Sequence, residues 1–184
     1  MRTIILLLLA LCLACVESKE KPEDQTNIAT QFNKEEDSKP LNQSNYDLEI
    51  YDYAGLSPLI NKNDNRIHVV NFWATWCAPC IKELPYFEAV KQEYKDQNVE
   101  VLLVSLDFPN KYETALKPFI LKHKLQSKVV ALNDVDANSW IPKVDSSWSG
   151  ALPATIIYKG GTRKFYEQSF TLEELKTEIN QFLK

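Results

Sequence analysis

Ile67-His68-Val69-Val70-Asn71-Phe72-Trp73, running on into Ala74-Thr75-Trp76-Cys77-Ala78-Pro79-Cys80, is the stretch that decides the fold. Its first seven residues are β-branched and aromatic between polar flanks, and read as a buried strand. Beyond the cysteines, Ile81, Leu84, Phe87, Val90 and Tyr94 recur at spacings of three and four, one face of a helix packed on a sheet. The Cys-x-x-Cys pair therefore opens that helix. Unpaired N–H groups and the positive end of the helix dipole favour a thiolate at Cys77, which becomes the attacking nucleophile. Pro79 suits an early helical position, where its missing N–H has no intrahelical partner to lose. Cys80, one turn deeper, is expected to be the buried resolving thiol, and the two form a reversible disulfide.

Other uses of the pair fit less well. Zinc calls for a second pair, and the remaining cysteines, Cys12 and Cys15, stand near the start of the chain. No metal ligand set is expected. Covalent haem requires histidine directly after the second cysteine, where this chain has Ile81. A purely structural disulfide across two residues closes a loop too small to remove much unfolded-state entropy. His68, opening a strand, and His123, among lysines, are read as solvated and given no role. Trp140 and Trp148 fall in a loop-like stretch, either a substrate lip or a satellite cluster. Trp76, beside the nucleophile, is the better candidate for substrate contact, because an exposed ring offers apolar area without sequence preference.

Outward from this centre, strand signals recur at 48–51, 69–73, 99–106, 128–132, 155–158 and 163–166. The last two are joined as an antiparallel hairpin by Lys159-Gly160-Gly161. Helices are expected over 79–96, 112–123 and 171–182, with Thr171 and Glu174 as a capping box and a kink at Pro85. Residues 46–184 thus form one α/β domain, a three-layer sandwich whose mixed central sheet is flanked by helices and which ends in a hairpin and a helix. With four glycines in 184 residues, no glycine-rich phosphate loop is available. A formal net charge of −4 without a basic cluster argues against nucleic acid as partner.

Met1-Arg2 and the apolar run Ile4–Ala14 read as a signal peptide over 1–15, too short to span a bilayer of about 30 Å. The run ends at Cys15 and resembles a bacterial lipoprotein leader, which makes Cys15 the acylated mature N-terminus. An ordinary secretory signal and an uncleaved anchor are the alternatives, and all three put the cysteine pair outside the cytoplasm. Residues 16–45 are rich in Glu, Lys, Asp, Gln, Asn and Ser, with too little apolar surface to offset ordering, and read as a disordered tether reaching roughly 30 Å.

Asn71–Cys80, Glu83-Leu84-Pro85 and Leu152-Pro153-Ala154-Thr155 resemble the thioredoxin superfamily, and within it the membrane-anchored thiol-disulfide reductases of bacterial envelopes, the TlpA and ResA type. The resemblance runs from about Leu48 to the C-terminus. It implies a thioredoxin-like fold and a cis peptide bond at Pro153, lying against the disulfide, with the backbone around Leu152 and Pro153 pairing with an extended substrate. Where soluble thioredoxins carry a buried aspartate as proton acceptor, this chain has Asn71, which on its own reads equally as a buried amide bonding the backbone. The envelope reductases carry instead a glutamate matching Glu83. At i+3 from Cys80 its carboxylate shares a helix face with that sulfur, and it is the expected proton acceptor, against the plainer reading of a solvated helix carboxylate.

The expectation is a lipid-anchored enzyme that reduces disulfides of extracytoplasmic proteins through Cys77 and Cys80, without a cofactor. Apocytochrome c is one substrate class the resemblance implies. With no third thiol in the domain, a membrane thiol-disulfide protein has to recharge the pair. Two rivals are a peroxide-reducing enzyme on the same fold, whose Pro-x-x-x-Thr-x-x-Cys motif is not matched because Thr75 lies two before Cys77, and a non-enzymatic envelope module that uses the disulfide as a staple.

Overall fold

The computed structural model describes residues 46–184; the expected leader, tether and lipidation site at Cys15 lie outside the described residues. In chain order the elements are β1 (Glu49–Tyr51), α1 (Tyr53–Ile60), β2 (Ile67–Trp73), α2 (Ala78–Glu93), β3 (Val99–Ser105), α3 (Lys117–His123), β4 (Lys128–Leu132), α4 (Ala137–Val144), β5 (Ala154–Lys159), β6 (Thr162–Tyr166) and α5 (Leu172–Asn180). The six strands form one sheet in the order β1-β4-β3-β2-β5-β6. Pairings from β1 to β2 are parallel, and those of β2 with β5 and β5 with β6 are antiparallel. Every residue of β2 is buried, the polar His68 and Asn71 included, as befits a central strand covered on both faces.

The alternation of a pleated strand sorts the core. Val69 and Trp73 of β2 face a cluster built with Leu84, Phe87 and Val90 of α2 and with Leu175 and Ile179 of α5. Val70 and Phe72 face the opposite cluster, with Leu56 and Ile60 of α1 and Trp140 and Val144 of α4. Asn71 is in phase with Val69 and Trp73 and so points toward α2. This is the expected three-layer α/β sandwich, and each of the six strands lies within two residues of its expected range.

Sequence reasoning missed α1 and α4. Both are short and carry an internal proline, Pro58 and Pro142, which obscures the helical period. Asp52 caps α1, accepting from the Gly55 N–H at 2.8 Å, and the helix buries Leu56 and Ile60. Tyr112–Leu116, expected as α-helix, forms a wide π-type turn in which the Lys117 N–H reaches back to the Tyr112 carbonyl. Pro118 follows at once and has no N–H with which to close a regular turn. The helix opened by the cysteine pair ends at Glu93 rather than Asp96, because Asn98 adopts a left-handed backbone (φ 57°) and turns the chain into β3. α2 itself runs on through Pro85. The capping box at Thr171 and Glu174 is present.

His68 is a second correction. It is buried, with Nε2 at 2.7 Å from Asp64 and Nδ1 at 3.4 Å from Glu100, and its ring stacks on Tyr158. A central strand leaves no position solvated. The register that sets His68 beside Glu100 of β3 supplies the polar partner that burial demands. His123 is exposed, as expected.

Candidate active site

Cys77 and Cys80 are joined by a disulfide at the start of α2, with Cα atoms 5.3 Å apart. Cys77 is the N-cap residue, and its sulfur accepts the Cys80 backbone N–H at 3.3 Å, so the nucleophile position sits on the unpaired donors of the first turn. Cys77 is 6% exposed and Cys80 is fully buried, the asymmetry expected of an attacking and a resolving sulfur.

A buried carboxylate holds the turn that carries Cys77. Asp107, just past the end of β3, accepts the Thr75 N–H at 3.0 Å, the Thr75 hydroxyl at 2.5 Å and the Ser105 hydroxyl at 2.8 Å. The hydroxyl of Thr75, the residue weighed for peroxide chemistry, is thus engaged as a hydrogen-bond donor to Asp107. The clamp also fixes the neighbours of its two ends, Trp76 and Phe108, whose rings stack with centroids 6.4 Å apart. They are 58% and 63% exposed, forming an apolar surface beside Cys77. Asp107→Ala leaves three donors, the buried Ser105 hydroxyl and the half-buried Thr75 N–H and hydroxyl, without their acceptor. The variant is expected to lose about 2–4 kcal/mol of unfolding free energy, measured on the oxidised protein in urea. A loss below about 0.5 kcal/mol, the size of an ordinary surface change, counts against the clamp.

Glu83 lies on the same helix, one turn beyond Cys80, and is only 1% exposed. This corrects the plain reading of a solvated helix carboxylate. Its Oε2 accepts the Phe170 N–H at 2.7 Å and its Oε1 accepts from Asn71 Nδ2 at 3.0 Å. Asn71 Nδ2 also donates to Thr155 Oγ1 at 3.1 Å. Asn71 is therefore not a backbone-bonding amide but the link between β2, α2 and β5. Burial is the main cause pushing the Glu83 carboxyl from its ordinary 4.5 up to about 7, and the Phe170 and Asn71 hydrogen bonds oppose it. A carboxyl near neutrality suits proton exchange with a thiol.

The Leu152–Pro153 bond is cis, and Pro153 is buried while Leu152 is half-buried. Ala154 pairs with Phe72, so Pro153 reaches the same end of the sheet as the Cys77 turn, on the side opposite Phe108. The approach to Pro153 is tied down on both flanks. Glu167 accepts the Ala151 N–H at 2.9 Å and the Ser149 hydroxyl, and Trp148 Nε1–H donates to the Ala151 carbonyl at 2.9 Å. Trp140 and Trp148 are buried in the core cluster on the α1 and α4 face, edge to face with each other. They are packing residues and not a lip. Sequence reasoning did not find Asp107 or Phe108, and it named Thr155 only as the end of the Leu152–Thr155 motif, without a role. The available signal for the first two was their place after the C-terminal end of a parallel strand, where α/β sheets build their sites.

The profile of the AhpC/TSA family matches residues 43–160, from just ahead of β1 to the turn after β5. The chain belongs to that family. The thiol-disulfide oxidoreductase ResA of Oceanobacillus iheyensis is 28% identical over 184 residues, covering 97% of this chain and 85% of that protein. The ResA of Halalkalibacterium halodurans is 32% identical over 116 residues, covering 61% of this chain and 58% of its own length. A thioredoxin-related protein from Neisseria meningitidis matches in structure with a TM-score of 0.56, at 20% identity, over 66% of this chain and 87% of that one. The last shows the fold, which is thioredoxin-like. With family, relatives and bonded pair together, the chain is an oxidoreductase of the thiol-disulfide class.

Proposed function

We propose that this protein reduces disulfide bonds in extracytoplasmic polypeptides, held at a bacterial envelope membrane by a lipid on Cys15. The observation that carries the reductive reading is Glu83, a buried carboxyl with its pKa near 7 placed one turn beyond the buried resolving cysteine. In the dithiol state the Cys77 thiolate attacks a substrate disulfide. One substrate sulfur leaves as thiolate, and the other stays bonded to Cys77. Glu83 then takes the proton of Cys80, whose sulfur attacks Cys77 and expels the second substrate thiolate. The electron pair passes to the substrate and the enzyme is left with the Cys77–Cys80 bond. A membrane thiol-disulfide protein returns it to the dithiol.

Trp76 and Phe108 on one side of Cys77, and the backbone at Leu152 and Pro153 on the other, line the approach for an extended chain. Location and anchoring are supported by the leader-like run ending at Cys15, and apocytochrome c as a substrate class by the resemblance to envelope reductases. The direction is tested by equilibrating the Cys77–Cys80 couple with glutathione. A potential near or below about −200 mV is expected, and a value near about −120 mV, that of a strong oxidant, overturns the reductive reading.

A further inference from the structure

The side-chain amide of Asn71 makes all its hydrogen bonds from one end. Nδ2 donates to Glu83 and to Thr155, whereas the equally buried Oδ1 has no partner among the described residues. A buried acceptor left alone costs about 1–3 kcal/mol and asks for an explanation. The two ends of an amide have nearly the same shape, so a half turn exchanges donor for acceptor without moving the backbone.

We propose that Asn71 is a positioning residue that turns over with the protonation of Glu83, donating to Oε1 when Glu83 is ionised and accepting the Oε1 proton on Oδ1 when it is neutral. The geometry fixes which oxygen carries the proton. Oε2 is held by the Phe170 N–H, a backbone donor that cannot become an acceptor, so the proton sits on Oε1, facing Asn71. With Nδ2 still there, two donors oppose each other; the half turn removes the conflict. Thr155 follows, because its hydroxyl accepts from Nδ2 in one state and donates to Oδ1 in the other. The register that pairs Asn71 with Thr155 across β2 and β5 keeps the two side chains together.

Both states contain three hydrogen bonds between the same partners, two of them reversed in direction, with one end of the amide unpaired. Proton uptake therefore sacrifices no bond, as a buried group that cycles its proton requires. Glu83 is held by Asn71 from β2 and by the Phe170 amide ahead of α5, neither of which titrates, and Thr155 of β5 reaches it only through Asn71; Cys80 lies one turn earlier on the same helix. In the resolving step the Cys80 S–H bond breaks and Oε1–H forms. The electron pair stays on sulfur to make the bond to Cys77, and the substrate leaves as thiolate. The proton then passes to that thiolate or to water.

The switch rests on the reading of Glu83 as proton acceptor, and the oxidised protein isolates it because neither bonded cysteine titrates. In NMR spectra of the oxidised protein, the Asn71 side-chain NH2 resonances are expected to shift with pH, in one step centred near 7. In Glu83→Gln they are expected to stop titrating. Resonances that stay fixed in the wild type, or that still titrate in Glu83→Gln, overturn the proposal. In turnover, Asn71→Leu is expected to raise the pH midpoint of disulfide reduction by about one unit or more, since a bond to a carboxylate is worth more than one to a neutral acid. A lowered rate at an unchanged midpoint reduces Asn71 to a space-filling role. Failure of the function itself shows differently: the wild type then reduces no disulfide, while the NMR titration still decides the switch.

Discussion

Cys80→Ser is expected to lose about three orders of magnitude or more in disulfide turnover, while accumulating mixed disulfides with its substrates through Cys77. The loss is large because resolution is intramolecular. Cys80 follows Cys77 by three residues on one helical turn, with Cα atoms 5.3 Å apart, and no external thiol matches the effective concentration this provides. The trap forms because Cys77, 6% exposed and on the unpaired N–H groups of α2, keeps its place when Cys80 is changed. Folding is expected to survive, since the lost bond closes a loop of two residues and constrains the unfolded chain by only about 2 kcal/mol. Non-reducing electrophoresis of envelope extracts gives the readout. Absence of adducts from Cys80→Ser, together with failure of the wild type to reduce a model disulfide with dithiothreitol, leaves the staple reading in possession.

Glu83→Gln is expected to slow reductive turnover at pH 7 by about 10²-fold, the lower range for a positioned proton acceptor, and to flatten its pH dependence between about 5 and 8. A rate and profile matching the wild type remove Glu83 from the mechanism. The same substitution has a signature in stability. The folded carboxyl titrates near 7 and the unfolded one near 4.5, so the folded chain holds the extra proton between those values. Stability from this group is complete below about pH 4.5 and is lost as pH rises from there through 7, by about 3 kcal/mol in all. Glutamine carries no such charge. The unfolding free energy of Glu83→Gln, followed in urea from pH 5 to 8.5, is expected to lack that decline, and an equal decline in both proteins shows that the buried carboxyl is not its source.

Much of the site was legible because its chemistry is local. The strand, the two cysteines and Glu83 lie within seventeen consecutive residues, and helix spacing alone sets Glu83 over Cys80. Other parts depend on partners far along the chain. Asn71 meets Thr155 across 84 residues, and Glu83 meets Phe170 across 87. Thr75 meets Asp107 across 32. Nothing in the residue types at 107 or 155 announces these contacts, and the helices at 53–60 and 137–144 were hidden by their prolines. His68 was misread for a related reason: a polar residue in a strand looks solvated until the strand proves central and its neighbour supplies a carboxylate.

The amino-acid sequence by itself determined the alternation of strands and helices, the seat of the cysteine pair at a helix start and the place of a carboxyl one turn beyond Cys80, because period and short-range geometry are written in adjacent residues. Tertiary structure alone decided that this carboxyl is buried, which is what brings it near neutrality, and that an amide with one free end faces it. Burial depends on which helices close over which face of the sheet, and that is a property of contacts between segments rather than of any one of them.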